Sequence, residues 1–325
     1  MQEFVFQVPP GSGSQIGSRI DYTNCGEQLK MKILILGCTG MLGNECKNVL
    51  GQDHGIIAPN KKELDIISWD GVIENLQDVL PDVVLNCAGF TDVDACETED
   101  FKVRKVNVEG PRNLAQCSAR FECKFVHISS DYVFDGQKPI PQPYFEDDAP
   151  NPLSAYGKSK MESEKAVREN APNYIIIRTA WLYGIHGDNF IKSIVKQAAK
   201  KKPKILKVAD DQFGSPTWAH RLALQTKELL NHDGNGTYHA TSEGYCSRFE
   251  CAEFIIKKLG LKARVEHCSM KDFHNAAERP SNCLLENRLL KKQGISVMPD
   301  WREDLDTFLE KFGEELIKEA KEKKN

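Results

Sequence analysis

Three side chains in this sequence are of types that could carry out chemistry on a carbonyl group: Tyr156, Lys160 and Ser130. Tyr156 and Lys160 are four residues apart among good helix formers, so a helix would place the phenol and the ammonium on one face. A phenol is a weak acid at neutral pH, and a neighbouring cation lowers its pKa by favouring the phenolate. Ser130 follows the apolar run 125–128, where its hydroxyl could hydrogen-bond the same carbonyl oxygen. The three residues predict general acid catalysis, although a lone tyrosine–lysine pair is also common on surface helices.

A glycine-rich turn near the start of the apolar pattern predicts a nucleotide phosphate site. Residues 32–36 form a continuous apolar run, which is typical of a central parallel strand. A helix is expected from about residue 44 to 50. Between a strand and a helix, glycines allow a tight turn and close backbone approach, and the free N–H groups face a pyrophosphate. The predicted cofactor contacts in this turn are Gly37, Thr39, Gly40, Met41, Leu42 and Gly43.

The end of the second strand, at residues 55–58, bears on the choice of cofactor. A carboxylate there would accept the 2′-hydroxyl of NAD, whereas cations would bind the 2′-phosphate of NADP. The chain instead has Asn60, Lys61 and Lys62, which favours NADPH; NADH stays open, because the lysines could be ordinary solvated charges. Further cofactor contacts are expected where residues border the adenine or let the backbone approach: Asp65, Ile66, Cys87, Ala88 and Gly89.

Strands alternate with helices as far as Tyr183, which predicts an α/β fold with a doubly wound parallel (Rossmann-type) sheet. Residues 31–183 are interpreted as the dinucleotide-binding domain. The pattern then loosens, and residues 184–325 are expected to form a smaller C-terminal α/β substrate domain, with some segments returning to the first. Residues 1–30 have linker-like composition and no apolar period, so they are expected to be a tail outside the fold.

Composition limits the classes of partner. The formal net charge of −4 and pI near 6.1 give no reason to expect nucleic acid or an anionic membrane surface. No apolar run approaches the roughly 18 residues of a membrane span, and no secretory signal is evident, so we expect a cytoplasmic protein. The 11 cysteines are scattered, without the spacing of a zinc site, and are expected to be buried free thiols. No metal site is predicted.

Six motifs together resemble the extended short-chain dehydrogenase/reductase family and, within it, the dTDP-4-dehydrorhamnose reductases. The resemblance covers roughly residues 31–312, and its motifs read GCTGMLG (37–43), NCAGFTDVDACE (86–97), HISSDYVFDG (127–136), YGKSK (156–160), RTAWLYG (178–184) and DDQFGSPT (210–217). The resemblance implies that Tyr156 is the proton donor, Lys160 its electrostatic partner and Ser130 the third member of a catalytic triad. Tyr156 and Lys160 would also contact the cofactor. Implied substrate contacts are Thr91, Val93, Ser130, Asp131, Tyr132, Trp181, Asn189, Gln212, Pro216 and Arg279.

The resemblance implies NADPH-dependent reduction of the 4-keto group of a 6-deoxy nucleotide-sugar. One alternative is a non-catalytic subunit resembling the regulatory beta subunit of methionine adenosyltransferase; another is a reductase or epimerase for a different nucleotide-sugar. The stretch Asn86, Thr91, Val93, Asp94, Glu97 is reductase-like and favours the enzyme. Some relatives bridge two subunits with magnesium held by glutamates. Glu45 matches one such position, but the basic run 200–204 argues against a shared metal, and a homodimer by another route stays open.

Overall fold

The computed structural model describes residues 30–200, 205–273 and 275–322. The described residues from Met31 onward form one compact unit. The tail predicted for residues 1–30 lies outside the described residues except for Lys30, and so do residues 201–204 of the basic run. Among the described helices, none is both long and apolar enough to cross a bilayer.

A six-stranded parallel sheet organises the fold, in the spatial order β2-β1-β3-β4-β5-β10. Its central strands are continuous apolar runs because both faces of the sheet are covered by helices. The prediction of a doubly wound α/β fold is therefore confirmed. The strands of the sheet are β1 (Lys32–Leu36), β2 (Gly55–Ile57), β3 (Val83–Asn86), β4 (Lys124–Ser130), β5 (Tyr174–Thr179) and β10 (Gly236–His239).

Helices cover both faces of this sheet. One face carries α1 (Met41–Leu50) and α8 (Ala219–Asn231), packed on a core that includes Ile33 and Ile35. The other face carries α2 (Trp69–Val79), α5 (Gly110–Arg120) and α6 (Ala155–Asn170), packed on a core that includes Leu34 and Leu36. Successive side chains of a strand point to opposite faces of its sheet, so alternate residues of β1 pack into opposite cores. Between β3 and α5 lie α3 (Val93–Cys96), α4 (Asp100–Arg104) and a π-helical segment, Lys105–Glu109.

A separate apolar cluster forms the core of the C-terminal part. The last helix contributes Trp301, Leu305, Phe308, Leu309 and Leu316, the spacing expected of one helix face. The elements around it are β6 (Leu182–Tyr183), α7 (Phe190–Ala198), β7 (Ile205–Ala209), β8 (Phe213–Gly214), β9 (Thr217–Trp218), β11 (Cys246–Ser247), α9 (Arg248–Lys258), β12 (Arg264–Cys268) and α11 (Trp301–Glu322), whereas α10 (Arg288–Gln293) packs on the core of the sheet through Leu290.

Chain segments after Tyr183 contribute to both parts of the molecule. β10 pairs with β5 as the sixth strand of the sheet, and α8 packs against α1. The two-stranded pair of β7 and β12 stays outside the sheet. The division into a dinucleotide-binding domain (31–183) and a substrate domain (184–325) stays a prediction.

Candidate functional site

The glycine turn requires close backbone packing. Gly37 has φ +75, and a Cβ there would lie 2.6 Å from the backbone nitrogen of Ala88. A Cβ at Gly43 would lie 2.2 Å from the carbonyl oxygen of Gly37. α1 begins at Met41, three residues earlier than expected, directly after Gly40 in extended conformation. The N-terminus of a ten-residue helix therefore faces the turn, which is the arrangement suited to an anion.

A cleft of about 300 Å³ lies beside this turn. It brings together ten of the predicted cofactor contacts: Gly37, Thr39, Gly40, Asn60, Lys61, Asp65, Ile66, Cys87, Ala88 and Gly89. Leu42 instead lies in the core beneath the sheet, and Met41 packs against the same core. Sequence reasoning missed Phe90 and Lys102, which also line the cleft, with the Lys102 ammonium 4.3 Å from the Phe90 ring centroid.

The loop after β2 presents an exposed lysine beside the cofactor cleft. The Asn60 side chain is used locally, because its Oδ1 accepts a hydrogen bond from the Lys62 backbone N–H at 2.9 Å. The Lys61 side chain is 77% exposed, and its ammonium lies 4.0 Å from Asp65 in a weak contact. Lys61 borders the cofactor cleft.

Ser130 and Tyr156 meet at the carboxyl end of the sheet. Ser130 is the last residue of β4, and Tyr156 is in the first turn of α6. Ser154 caps this helix by accepting from the Gly157 N–H at 3.1 Å, and Glu97 accepts from the Ala155 N–H at 2.8 Å. Burial raises the pKa of Tyr156, the Asp131 charge raises it further, and hydrogen bonding to Ser130 lowers it. Two of the three predicted catalytic side chains therefore lie near each other.

Lys160 is buried one turn along the same helix. Its ammonium donates to the Ile128 carbonyl at 2.6 Å. Burial lowers the pKa of Lys160 to about 8, opposed by the charges of Glu164 and Cys87. Cys87 lines the cofactor cleft, so Lys160 lies next to that cleft.

The expectation that a neighbouring cation lowers the pKa of Tyr156 is wrong for this arrangement. The pKa of the phenol is raised mainly because burial disfavours the phenolate, and an ionised Asp131 adds to the effect. The ammonium of Lys160 donates to a backbone carbonyl, and burial lowers the pKa of Lys160 by disfavouring its charged form.

A buried polar array lies behind α6 and fixes its position. His127 Nε2 lies 2.9 Å from the Ser163 hydroxyl, and its Nδ1 lies 3.2 Å from the Asn86 amide. Glu164, fully buried, accepts from Ser129 at 2.7 Å and pairs with Arg178 through two hydrogen bonds of 2.8 and 2.7 Å. These bonds tie the inner face of α6 to β3, β4 and β5.

A second cleft, of about 340 Å³, contains two of the predicted substrate contacts, Gln212 and Arg279. Arg248, Phe190 and Phe273 also line it, and sequence reasoning missed them. The guanidinium of Arg248 lies 3.5 Å from the ring centroid of Trp181, and its Nε donates to Gln212 Oε1 at 3.2 Å. Arg248 directly follows the N-cap of α9. From the sequence alone, an arginine at this position cannot be distinguished from one that points into solvent.

Arg279 connects this cleft to the reductase-like stretch of the sequence. Its guanidinium donates to both carboxylate oxygens of Asp94, at 3.1 and 2.7 Å. Burial acts to lower the pKa of Arg279, but hydrogen bonds with Asp94 and Tyr132 raise it. The ring of Tyr132 packs edge-on against Tyr156 at 5.6 Å, so the arginine cleft adjoins the phenol.

Trp181 and Pro216 line a smaller cleft of about 130 Å³ with Arg248. Trp181 has φ +47, a strained backbone for a residue with a side chain, and a Cβ at Gly214 would lie 2.3 Å from its ring. Glycine at position 214 is therefore needed to accommodate the indole.

The remaining predicted substrate contacts are placed differently. Asn189 caps α7, since its Oδ1 accepts from the Lys192 N–H at 3.0 Å and its amide donates to the Gly184 carbonyl at 2.8 Å. Thr91 is exposed in the loop before α3, and Val93 is half-buried at the start of that helix. Asp131 is buried next to Ser130.

Glu45, the residue that the sequence offered for a shared metal, contacts a histidine. Glu45 Oε2 lies 3.1 Å from His220 Nδ1. Within the described ranges, no group of three or more His, Cys, Asp or Glu side chains is arranged to hold a metal ion. The described cysteines are free thiols, and most are buried.

The family model for the RmlD substrate binding domain matches residues 31–314. The chain belongs to this family. RmlD-family relatives include the spore coat polysaccharide biosynthesis protein SpsK of Bacillus subtilis, 37% identical over 86% of this chain and 97% of its own length. A dTDP-4-dehydrorhamnose reductase of Burkholderia thailandensis is 33% identical over 84% of this chain and 96% of its own length.

Solved structures of the RmlD family agree with the fold over nearly the whole described chain. A dTDP-4-dehydrorhamnose reductase of Clostridium acetobutylicum has a TM-score of 0.84 at 37% identity, covering 87% of this chain and 100% of its own. The Bacillus anthracis enzyme of the same name, solved in complex with NADP, has a TM-score of 0.83 at 35% identity, with the same coverage. The resemblance drawn from the motifs is confirmed.

Proposed function

We propose that this protein reduces the 4-keto group of a 6-deoxy nucleotide-sugar with NADPH, converting dTDP-4-dehydrorhamnose to dTDP-L-rhamnose or acting on a close analogue. The proposal is supported above all by the proximity of Tyr156 to Ser130, with Lys160 near Cys87 of the nucleotide cleft and Tyr132 near Arg248 and Arg279 of the arginine-lined cleft. A proton donor at this junction is what reduction of a carbonyl requires.

The prediction of an NAD(P)-dependent reductase is confirmed by the relatives, which carry reductase names and include one solved with NADP. The residues present fit such a cofactor, because the contact between Gly37 and Gly43 leaves no room for a Cβ and lets the backbone reach a pyrophosphate. Lys61 supports the choice of NADPH, since its exposed ammonium borders the cleft after β2. A bound nicotinamide would supply hydride to the substrate carbonyl.

The substrate cleft supports a nucleotide diphosphate sugar. Arg248 and Arg279 provide planar guanidinium groups suited to diphosphate oxygens, and Phe190 and Phe273 provide aromatic surface for a base. The name of a relative from Streptomyces niveus, 32% identical, specifies a dTDP-4-keto-6-deoxy-D-glucose reductase. The 4-keto position is proposed on that ground together with the placement of Tyr156.

Each member of the triad has a separate task in the proposed mechanism. Tyr156 gives its proton to the oxygen of the substrate carbonyl as negative charge develops there. Ser130 donates a hydrogen bond to the same oxygen, and the ammonium of Lys160, held by the Ile128 carbonyl, stabilises negative charge near the phenol. Ser130 and Lys160 are buried and Tyr156 is half-buried, which limits the access of water to the reacting oxygen.

Mixing the purified protein with NADPH and dTDP-4-dehydrorhamnose, and following absorbance at the nicotinamide band, tests the function. We expect oxidation of NADPH that depends on the sugar. No oxidation, together with tight binding to a larger protein, would contradict the proposal and favour the regulatory alternative. Oxidation with other 4-keto nucleotide-sugars but not this one would instead favour a different reductase of the same class. The cytoplasmic location and a homodimer stay predictions from the sequence.

A further inference from the structure

The carboxyl group of Asp131 is buried beside the proposed proton donor. The residue is 3% exposed. One oxygen, Oδ1, lies 2.8 Å from the Ser130 hydroxyl, and the other, Oδ2, is buried without a hydrogen-bond partner among the described residues by geometric criteria. The titratable or charged groups that face this carboxyl are Cys283, Arg248, Tyr132 and Tyr156. This carboxyl group is therefore close enough to the proposed proton donor to influence it.

The hydrogen-bonding capacity of Ser130 limits what it can do. A hydroxyl has one proton to donate and two lone pairs to accept with. One lone pair is occupied, because the Tyr132 N–H donates to Ser130 Oγ at 3.2 Å. One proton and one lone pair remain, to be shared among Asp131, Tyr156 and a substrate oxygen.

When Asp131 is ionised it can only accept, so the Ser130 proton goes to the carboxylate. The second lone pair of Ser130 is then free for the Tyr156 hydroxyl, and both protons point away from the substrate. When Asp131 is protonated, its own O–H donates to Ser130 and fills that lone pair. The protons of Ser130 and Tyr156 are then both available to the carbonyl oxygen.

We propose that Asp131 is a positioning residue that carries a proton during turnover and thereby directs the Ser130 hydroxyl toward the substrate. This inference rests on the proposed reduction. Burial raises the pKa of Asp131, while the Cys283 thiol, Ser130 and the Arg248 guanidinium act to lower it. The unpartnered, buried Oδ2 favours the protonated carboxyl as well, because a proton removes the uncompensated charge. Activity is then lost where Asp131 ionises.

The test is the pH profile of kcat for wild type, Asp131→Asn and Ser130→Ala, with NADPH and dTDP-4-dehydrorhamnose. Wild-type kcat should fall on the alkaline side by on the order of 10², the usual effect of losing one donor to a developing oxyanion. Lys160, whose pKa is about 8, adds a second alkaline limb that all the variants share. Asp131→Asn should lose only the first limb, because an amide cannot ionise but can donate as the protonated carboxyl does. Ser130→Ala should have a lower kcat and lack the same limb, and adding Asp131→Asn to it should change neither.

Asp135→Asn is the matched control, since it removes a carboxylate four residues away in the same loop, where Asp135 accepts from Tyr144 at 2.6 Å. It should keep the wild-type profile. The inference is overturned if Asp131→Asn retains the first limb, if it is inactive at every pH while still folded by circular dichroism, or if its effect persists in the Ser130→Ala background. An inactive wild type would instead refute the proposed function.

Discussion

Tyr156 and Lys160 are buried where each group's charged form is disfavoured. The pKa of the phenol rises, and that of the ammonium falls to about 8. As the pH rises, Lys160 loses its charge before Tyr156 loses its proton. The phenol thus stays protonated through the neutral range, as a proton donor must, while its cationic partner is the first of the two to titrate.

Replacing Tyr156 with Phe removes the proton donor and keeps the ring that packs against Tyr132. We expect kcat to fall by about 10²–10⁴, with the fold and NADPH binding retained. Steady-state kinetics and a fluorescence titration with NADPH measure the two effects. Tyr174→Phe, at the start of β5, is the control for loss of a phenol elsewhere. Wild-type turnover by Tyr156→Phe would remove this residue from the mechanism.

Replacing Lys61 with Ala removes the exposed ammonium at the edge of the cofactor cleft. If it binds the 2′-phosphate, KM for NADPH should rise by roughly tenfold, the equivalent of about 1.4 kcal/mol, with little change for NADH. Lys62→Ala is the matched control, because Lys62 adjoins Lys61 but is not among the residues that line this cleft. Equal effects of Lys61→Ala on the two cofactors would contradict a role in phosphate binding.

Among single residues, the sequence predicts those whose functional partners lie only a few positions away in the chain. The four-residue interval of Tyr156 and Lys160, and the glycine turn, are visible in the chain because one element contains the whole pattern. Arg248 and Lys102 were missed because they reach their clefts only through long-range packing. The bond from Ser130 to Asp131 joins adjacent residues, yet its importance depends on burial that only the fold creates.

The position of α6 depends on a buried ion pair more than on its own sequence. Glu164 is fully buried, and Arg178 of β5 is nearly so. Burial acts to raise the pKa of Glu164, but hydrogen bonds and charge from Arg178 lower it, so the carboxylate is ionised. The helix that carries Tyr156 is thereby locked to the sheet at its middle, while Ser154 and Glu97 hold its first turn.

Glu164→Gln should destabilise the protein by on the order of 3 kcal/mol, because Arg178 would be left buried without a counter-charge. Urea denaturation measures the change in the free energy of unfolding. Glu162→Gln on the exposed side of the same helix, where the side chain is 42% exposed and pairs with Arg104, should cost less than about 1 kcal/mol. Similar losses in the two variants would show that the buried pair has no special role.

The elements themselves were largely predictable where one sequence pattern covers the whole element. Apolar runs located β1, β3, β4 and β5, and the helical period located α11. The strand β10 gave no comparable signal because Gly236–His239 is short and partly polar, and its burial comes from pairing with β5. α3 is a single turn capped by Asp92, too short for periodicity to bound it.

At the scale of the whole molecule, buried histidines make the free energy of unfolding depend on pH. Burial, assisted by the charge of Arg178, lowers the pKa of His239 to about 3. Burial also lowers the pKa of His127, well below its ordinary value. Between about pH 6.5 and pH 3 the unfolded chain binds protons that the folded chain does not, so stability falls as the pH drops through this window.

Inside this window, each such histidine lowers the free energy of unfolding by up to about 1.4 kcal/mol for every unit by which the pH falls. Urea midpoints at pH 7 and pH 5 should therefore show a less stable protein at pH 5. His239→Gln should reduce the difference, whereas His232→Gln, a change at an exposed ring, is the control. A pH dependence unchanged in His239→Gln would refute this origin.

The single turn α3 has two carboxylates near its ends with different partners. Asp94 binds the guanidinium of Arg279, 185 residues along the chain, and Glu97 accepts the first N–H of α6. One short segment thus connects Arg279, proposed to meet the nucleotide, to the helix that carries the proposed proton donor. A residue inserted between Asp94 and Glu97 would rotate the two carboxylates by about 100° relative to each other, so a change in the length of α3 would disturb the arginine loop and the first turn of α6 together.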